Sequence, residues 1–215
     1  MTKKKERLIP RPSTKNVLDA QKSWEKLDGQ KYKIQEDALN ELFGKHPNND
    51  RLEDILLKAA TLNDFYNTNV LSIFGVAKHI LTITNIDERL AKADESLIKD
   101  LMKNSFIDKI GETKEINFYS FATKYCSHHN PDNYPIYDGY VDKVLRYFRT
   151  HENFSSFRNN ELKDYKKFKS IIIQFRNYYD LKDFSFKEID RYLWQTGKKF
   201  FQKKTTRSKK NEKYK

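Results

Sequence analysis

Apolar residues recur along most of this 215-residue chain at the three- and four-residue intervals of amphipathic α-helices, whereas alternating strand patterns are few. The stretch from residue 52 to residue 65 is typical, because Leu52, Ile55 and Leu56 fall on one helical face. Glycine and proline are both scarce, with 6 and 5 occurrences, so that long segments run without a break. The pattern predicts an all-α fold of about eight to ten helices.

The helices can be delimited from their capping residues and their apolar faces. The segment 70–82 is apolar on nearly all sides, which predicts a central, buried helix. The segment 87–104 has helical propensity and is interpreted as two short helices. A further helix is predicted at 117–129, and another begins after Asp138. The remaining predicted helices cover residues 13–27, 35–43, 49–66, 159–179 and 185–201.

The net charge of +12 is concentrated at the two ends of the chain. Residues 1–15 hold six lysines or arginines and one acidic residue, and residues 198–215 hold nine and one, so the middle is nearly neutral. We therefore expect a basic N-terminal extension at 1–15, a helical domain at 16–201 and a basic, disordered C-terminal tail at 202–215. Basic tails attract phosphate through counterion release, which indicates a nucleic-acid partner; a purely solubilising role is the alternative.

Composition excludes several classes of protein. No apolar run approaches the roughly 18 residues of a membrane helix, so no membrane partner is expected. The N-terminus lacks the apolar stretch of a signal peptide, and the single cysteine, Cys126, excludes an internal disulfide. These features predict a cytoplasmic protein. We expect a monomer without a cofactor or a bound metal, because no Cys/His cluster completes a metal site.

The stretch FATKYCSHHNPDNYPIYDGYV, residues 121–141, carries the candidate chemistry. Asp138 would cap the helix that follows it, and hydrogen bonds from the first amides would hold its carboxylate ionised. Lys124 lies on the preceding helix, away from its apolar stripe, and a lysine that faces a cleft can act as a nucleophile. Together they suit attack at a sugar carbon, where a carboxylate stabilises an oxocarbenium ion. The residues equally allow a simpler interpretation, in which Asp138 is only a cap and Lys124 is solvated.

Short stretches of this sequence resemble the helix-hairpin-helix DNA glycosylases, the superfamily of endonuclease III and 8-oxoguanine DNA glycosylase. Lys124 in FATKYC stands where that superfamily carries its catalytic lysine, and Asp138 in PIYDGYV stands where it carries its catalytic aspartate. The later EIDRYLWQTGK, at 188–198, is similar to the closing helix of a bacterial branch with the 8-oxoguanine DNA glycosylase fold. The resemblance implies an all-α helical bundle with a cleft between helical subdomains. It also implies double-stranded DNA with a damaged or modified base as the partner.

The resemblance further implies an activity and a pocket for the base. A DNA glycosylase flips its target nucleotide out of the duplex and cleaves the N-glycosidic bond, and some members then cut the strand through a lysine Schiff base. Lys124 would be the nucleophile in such an AP lyase and structural in a monofunctional enzyme, and both forms stay open. The candidates for stacking on the base or reading its edge are Tyr125, His128, His129, Tyr134, Tyr137, Tyr140, Trp194 and Gln195.

The hairpin of this chain departs from the family pattern where DNA would bind. Glycines in the family hairpin let backbone amides approach a phosphate, but the corresponding YSFATK has none. We assign phosphate contacts instead to Lys114, Ser120, the helix start near Asn117 and the basic tails. Tyr66 and Asn67 are candidates to enter the minor groove and fill the space that a flipped base leaves.

Other functions are compatible with the same sequence. One is a non-catalytic helical DNA-binding protein with basic tails, and another is a helical protein-interaction domain. The excised base is also undetermined, because the superfamily removes oxidised, alkylated and mismatched bases. Repair of damaged DNA and defence against the modified bases of phage DNA are therefore both open.

Overall fold

The computed structural model describes the backbone of residues 8–107 and 113–202 and the side chains of residues 8–102 and 118–202. Within these ranges the chain forms ten α-helices, one 3-10 helix and one β-hairpin, so the all-α class is confirmed for the overall architecture. None of these helices is both long and apolar enough to cross a bilayer. The predicted tail at 202–215 lies, beyond its first residue, outside the described range. The α-helices are α1 (Thr14–Trp24), α2 (Lys31–Lys45), α3 (Leu52–Tyr66), α4 (Ile73–Leu81), α5 (Ile86–Ala91), α6 (Leu97–Met102), α7 (Tyr119–His129), α8 (Gly139–Glu152), α9 (Tyr165–Tyr178) and α10 (Phe186–Phe201), and the 3-10 helix is Asn159–Lys163.

The β-hairpin lies where one helix was predicted to end and another to begin. Strand β1 (Lys103–Ile107) pairs antiparallel with strand β2 (Thr113–Asn117), and the first residue of β1 stands opposite the last residue of β2. The helix predicted at 117–129 consequently begins at Tyr119. Neither KNSFI nor TKEIN alternates apolar and polar residues, which is why the sequence did not indicate these strands.

The segment 70–82 does not form a central helix, and that prediction was wrong. Helix α4 packs against α3 and buries one face through Val76, Ala77 and Ile80. The side chain of Phe74, by contrast, is 55% exposed. An apolar sequence shows that a helix can be buried on every side, but it does not show which sides the rest of the fold covers.

Residues 8–15 contact the helical domain that was predicted to begin at residue 16. The buried Ile9 donates its backbone N–H to the Tyr147 hydroxyl of α8 at 3.1 Å. The Arg11 guanidinium pairs with Glu152 at the end of the same helix. These contacts attach the segment to α8, because they satisfy its backbone and its charge on the surface of that helix.

Helix α7 lies at the centre of the fold. Its residues 121–127 are all buried, and α2, α3, α5 and α6 contact it. Lys124 on the polar face is nearly as buried as the residues of the apolar stripe, so this lysine does not point into solvent. A buried lysine costs free energy unless polar groups surround it, and its surroundings are therefore informative about function.

Helices α8 and α10 approach each other closely at Gly197. A Cβ atom there would lie 2.5 Å from the Tyr140 Cβ and 2.8 Å from the Tyr140 carbonyl oxygen. Because backbone cannot move aside cheaply, we expect Gly197→Ala to lower the free energy of unfolding by about 2–3 kcal/mol in urea denaturation. Gly44→Ala is the matched control, since this helical glycine has nothing within 4 Å and alanine should raise stability by about 0.5 kcal/mol. Similar effects of the two changes would contradict the close contact.

Candidate functional site

The loop between α7 and α8 is tied back onto α7, and this sets the position of Asp138 relative to Lys124. The Thr123 hydroxyl accepts a hydrogen bond from the Tyr137 N–H at 3.1 Å, and the Ser120 hydroxyl donates to the Tyr137 carbonyl at 3.2 Å. The two hydroxyls lie about one helical turn apart, so they hold the end of the loop against one face of the helix. The next residue, Asp138, therefore starts α8 beside Lys124.

The Lys124 amine is buried among polar groups, with only 2% of the side chain exposed. Its Nζ donates to the Ser120 Oγ at 2.6 Å and to the Tyr137 carbonyl at 3.3 Å, and it lies 3.6 Å from Oδ2 of Asp138. Burial lowers the pKa of Lys124, although the carboxylates of Asp138 and Asp190 oppose this shift. At a given pH a larger fraction of Lys124 is therefore neutral than of an exposed lysine.

Asp138 caps α8, as the sequence predicted. Its backbone is extended, and its Oδ1 accepts a hydrogen bond from the Tyr140 N–H at 2.8 Å. The other oxygen faces Lys124, and 23% of the side chain is exposed. One carboxylate oxygen is thus fixed by the helix, and the second faces Lys124 at the wall of the cavity.

A cavity of about 280 Å³ opens at Lys124 and Asp138. Residues of α1, α2, α3, α7, α8 and α10 form its walls, together with parts of the loops that join them. The two candidate catalytic groups thus meet at one concave space lined by aromatic rings, which suits a planar ligand. The residues singled out in the sequence that line this cavity are Lys124, Asp138, His128, Tyr140, Trp194, Tyr66 and Asn67.

The aromatic part of the wall is uncharged. The Tyr66 hydroxyl lies 3.0 Å from Nε2 of His128. Burial, with a contribution from Lys187, lowers the pKa of His128 to about 3, and burial raises the pKa of Tyr66. Tyr66 therefore donates this hydrogen bond and His128 accepts it as a neutral ring. Nearby, the rings of Tyr140 and Trp194 meet edge to face at 6.2 Å.

Five predicted base-pocket residues do not line this cavity, namely Tyr125, His129, Tyr134, Tyr137 and Gln195. The Tyr134 hydroxyl is used inside the fold, where it donates to the Asp94 carbonyl at 3.0 Å. The Tyr137 hydroxyl donates to the Asp142 carboxylate at 2.9 Å. The Gln195 amide donates to the Ala20 carbonyl of α1 at 2.9 Å. Residues that are adjacent in sequence to a cavity residue thus contact other parts of the fold, because successive helical positions face different directions.

Tyr125 and His129 belong to a buried polar cluster around Lys58. The Lys58 Nζ donates to two backbone carbonyls of the loop after α2 and to Oδ1 of Asn49, each at 2.9 Å. The Tyr125 hydroxyl donates to the same oxygen at 2.5 Å, and the His129 ring lies 3.4 Å from Lys58. Burial lowers the pKa of Lys58 to about 8, against the attraction of Asp87, and the pKa of His129 to about 3. The polar groups of the cluster thus find hydrogen-bond partners within it, and these bonds tie the α2–α3 loop to α7.

The predicted DNA contacts are only partly placed by the structure. The Ser120 hydroxyl is engaged by the Lys124 amine, so it is not presented to a phosphate. Asn67 is exposed at the rim of the cavity, in a left-handed conformation with φ 49°. Lys114 and Asn117 lie in β2, whose side chains are outside the described range, and Asn117 precedes α7 without starting it.

Asp190 is the most important cavity residue that the sequence interpretation did not identify. It lies on α10, one turn before Trp194, and its Oδ1 is buried without a hydrogen-bond partner among the described residues. Burial and the nearby Asp138 carboxylate raise the pKa of Asp190 to about 7, against the attraction of Lys124. The segment EIDRYLW could have indicated Asp190, because Asp190 and Trp194 are four positions apart and such residues share one face of a helix.

A second charged group, formed by Glu36, Lys187 and Arg191, lies in the same wall. The Glu36 carboxylate is 3.0 Å from the Lys187 Nζ and 2.5 Å from an Arg191 nitrogen, and it accepts from Trp24 Nε1 at 2.9 Å. Burial raises the pKa of Glu36, but the two cations outweigh burial and the net pKa is lowered. Within the described side chains no group of three or more His, Cys, Asp or Glu residues could hold a metal ion.

The raised pKa of Asp190 makes a prediction about stability. A buried carboxyl with a pKa near 7 and an ordinary pKa near 4 when unfolded favours the folded state below pH 4, and this contribution is lost as the pH rises to 7. We expect Asp190→Asn, which mimics the protonated form, to be about 2 kcal/mol more stable than the unsubstituted protein at pH 8 and equally stable near pH 4. Urea unfolding at both pH values measures this, with the exposed Asp183→Asn as control. The same difference at both pH values would rule out titration of Asp190.

Comparisons with other proteins place this chain in a family. A family model described as HI_0787_N, N-terminal domain, matches residues 16–133, which include Lys124 and end before Asp138. A protein of Haemophilus influenzae described as uncharacterized is 46% identical over 152 residues, which are 71% of this chain and 70% of that relative. No solved structure matches. The chain belongs to the family of the HI_0787_N N-terminal domain.

Proposed function

We propose that this protein is a DNA glycosylase, which takes a damaged or modified base from double-stranded DNA into the cavity and cleaves its N-glycosidic bond. The observation that carries the proposal is the 3.6 Å approach of Lys124 Nζ and Asp138 Oδ2 in the wall of an aromatic cavity. A lysine with a merely solubilising role would extend into water. Burial of this amine beside an accessible carboxylate is instead the arrangement that nucleophilic and electrostatic catalysis require.

The reaction follows from the positions of the two groups. In the proposed complex the sugar C1′ lies beside the pair formed by Lys124 and Asp138, and the base lies against the rings of His128 and Trp194. As the N-glycosidic bond breaks, the base takes the bonding electron pair and C1′ gains positive charge, which the Asp138 carboxylate stabilises. In the monofunctional form a water adds to C1′ and gives its proton to Asp138, while the departing base gains a proton.

The lyase form uses the Lys124 amine in place of water. The neutral amine adds to C1′ as the base leaves, and the nitrogen then loses a proton as the sugar ring opens to a Schiff base. Loss of a proton from the adjacent sugar carbon expels the 3′ phosphate and cuts the strand. Asp138, at 3.6 Å, is the nearest carboxylate to receive the proton that the ammonium must lose before attack.

Asp190 gives this cavity a means to contact the base itself. Its unpaired Oδ1 can accept a hydrogen bond from an N–H of the base, which would repay the cost of burying that oxygen. Because its pKa lies near 7, the protonated form is also present at neutral pH and can donate to a ring nitrogen or carbonyl. The residue thus supports both recognition of the base and protonation of the leaving group.

The proposal is tested with a panel of DNA duplexes that each carry one oxidised, alkylated, deaminated or mismatched base, together with phage DNA that contains hydroxymethylated or glucosylated cytosine. Released bases are identified by mass spectrometry. We expect release of one class of base, and its identity separates repair from phage defence. Binding of the same DNAs without release of any base would favour a non-catalytic DNA-binding protein.

A further inference from the structure

The shortest polar contact of the Lys124 amine is with the hydroxyl of Ser120. Ser120 lies in the stretch YSFATK at the start of α7, about one helical turn before Lys124. Its Oγ is 2.6 Å from the Lys124 Nζ, whereas the Tyr137 carbonyl is 3.3 Å and the Asp138 carboxylate 3.6 Å away. The proposed nucleophile is therefore held most closely by an uncharged side chain that the reaction described above does not use.

The Ser120 hydroxyl and the Tyr137 carbonyl lie together behind the amine as it is seen from the cavity. Their oxygens are 3.2 Å apart and both accept from the Lys124 Nζ, so the three atoms form a compact triangle. Lys124 lines the cavity, whereas Ser120 and Tyr137 do not. Loss of one proton from an ammonium leaves two N–H donors and one lone pair. If both N–H groups point to the two oxygens, the lone pair points away from them and into the cavity.

The O–H groups beside the amine are committed to other acceptors. The Ser120 O–H donates to the Tyr137 carbonyl at 3.2 Å. The ring of Tyr66 lies 5.2 Å from the Lys124 Nζ, but its hydroxyl is bonded to His128. Within the described part of the chain the amine donates hydrogen bonds and accepts none. Its lone pair is therefore available for attack, because no hydrogen bond to it has to be broken first.

We propose that Ser120 is a positioning residue, which accepts an N–H of the Lys124 amine and so directs the lone pair toward C1′ in the cavity. The inference rests on the proposed function in its lyase form. Correct orientation of the attacking atom lowers the barrier of a reaction between bound groups. A hydroxyl suits this role because it orients the amine without a negative charge, which at the same distance would hold the proton on the nitrogen.

The first test measures the Lys124 amine without DNA. Carbon-13 NMR of the full chain with labelled lysine follows its titration, and the signal is identified by its absence from Lys124→Met. Ser120→Ala should lower the pKa of Lys124 by about one unit, because the ammonium loses an acceptor. If Ser120 instead donated to the lone pair, its removal would raise this pKa. An unchanged or raised pKa would overturn the proposal.

The surroundings of the amine allow a matched control. The titratable groups that act on Lys124 are Asp138 at the start of α8, Asp190 on α10, Tyr66 on α3 and His128 on α7. All of them remain in Ser120→Ala, so the shift measures the loss of the hydroxyl. The control is Thr123→Val, because the Thr123 hydroxyl also ties Tyr137 to α7 but is bonded to the Tyr137 N–H and the Ser120 carbonyl. It should leave the pKa of Lys124 unchanged, and equal shifts in both variants would overturn the proposal.

The second test is the pH profile of borohydride trapping on a DNA duplex that contains an aldehydic abasic site. Ser120→Ala should move the midpoint of this profile about one unit to lower pH and reduce the maximal rate about tenfold, because fewer amines are correctly oriented. A purely structural role would lower the rate and leave the midpoint in place. Ser120→Thr keeps the hydroxyl and should restore both quantities. If Ser120→Ala does not fold, Ser120→Cys, whose sulfur is a weak acceptor, should shift the midpoint in the same direction.

Failure of this inference and failure of the proposed function give different results. Trapping by the unsubstituted protein with an unmoved midpoint in Ser120→Ala, or without rescue by Ser120→Thr, would overturn the role of Ser120 and leave the lyase intact. If the unsubstituted protein forms no adduct, Lys124 is not a nucleophile and Ser120 has no lone pair to direct. Release of a base from the panel of duplexes then still decides whether the protein is a glycosylase.

Discussion

Asp138→Asn should abolish base release while the protein still folds and still binds DNA. The carboxylate is expected to stabilise positive charge at C1′, and a neutral amide cannot do so. We expect a loss of about a thousandfold or more in the single-turnover rate, which corresponds to about 4 kcal/mol of transition-state stabilisation. Asparagine is about as good a helix cap as aspartate, so the hydrogen bond from Tyr140 should survive.

The control for this change is Asp164→Asn. Asp164 caps α9 and accepts a hydrogen bond from the Lys167 N–H at 3.1 Å, but it does not line the cavity. Thermal unfolding should show both variants within about 1 kcal/mol of the unsubstituted protein, and only Asp138→Asn should lose activity. Normal base release by folded Asp138→Asn would mean that this carboxylate is a cap and nothing more.

The convergence of Lys124 and Asp138 could be predicted because it depends on local structure. Lys124 lies on α7 and Asp138 directly precedes α8, and a short loop joins the two helices. Asp138 can be recognised as a helix cap because it precedes a segment with helical apolar periodicity. The hydroxyls of Thr123 and Ser120, which fix the loop on α7, are also close in sequence. A short segment with its own turn and cap therefore determines most of the geometry at the reacting end of the site.

The opposite wall could not be predicted in the same way, because its residues come from distant parts of the chain. Glu36 on α2 is paired with Arg191 on α10, and Trp24 on α1 completes the contact. Burial of Glu36 depends on how these three helices pack, and no local pattern encodes that packing. For Asp190 the local signal existed, but only burial in the folded protein gives its carboxyl a pKa near 7.

The choice between adjacent helical positions was the weakest part of the sequence interpretation. His128 lines the cavity, whereas His129, the next residue, belongs to the Lys58 cluster. Tyr125, the residue after Lys124, likewise belongs to that cluster and does not line the cavity. Because helix α7 is buried on nearly all sides, its apolar periodicity does not distinguish a wall of the cavity from the interior. Only the packing of the surrounding helices decides between them.

Lys124→Met should eliminate any covalent intermediate between the protein and DNA. If the Lys124 amine attacks C1′, borohydride reduces the resulting Schiff base and traps a stable adduct, which methionine cannot form. Trapping in the unsubstituted protein should increase with pH, because the amine must be neutral to attack and burial lowers its pKa. Methionine keeps the length of the side chain, but Ser120, the Tyr137 carbonyl and Asp138 each lose a partner. We therefore expect the free energy of unfolding to fall by about 1–3 kcal/mol. Thermal unfolding verifies that the variant is folded.

The matched control is Lys187→Met, because Lys187 is the other lysine among the described residues that line the cavity. Its amine is paired with Glu36 at 3.0 Å and does not contact Asp138 in the described structure. Trapping that persists in Lys124→Met and disappears in Lys187→Met would transfer the role of nucleophile to Lys187. If the unsubstituted protein releases base but forms no adduct, water is the nucleophile. Lys124 would then act through its charge, and Lys124→Met should retain slow base release where Asp138→Asn retains none.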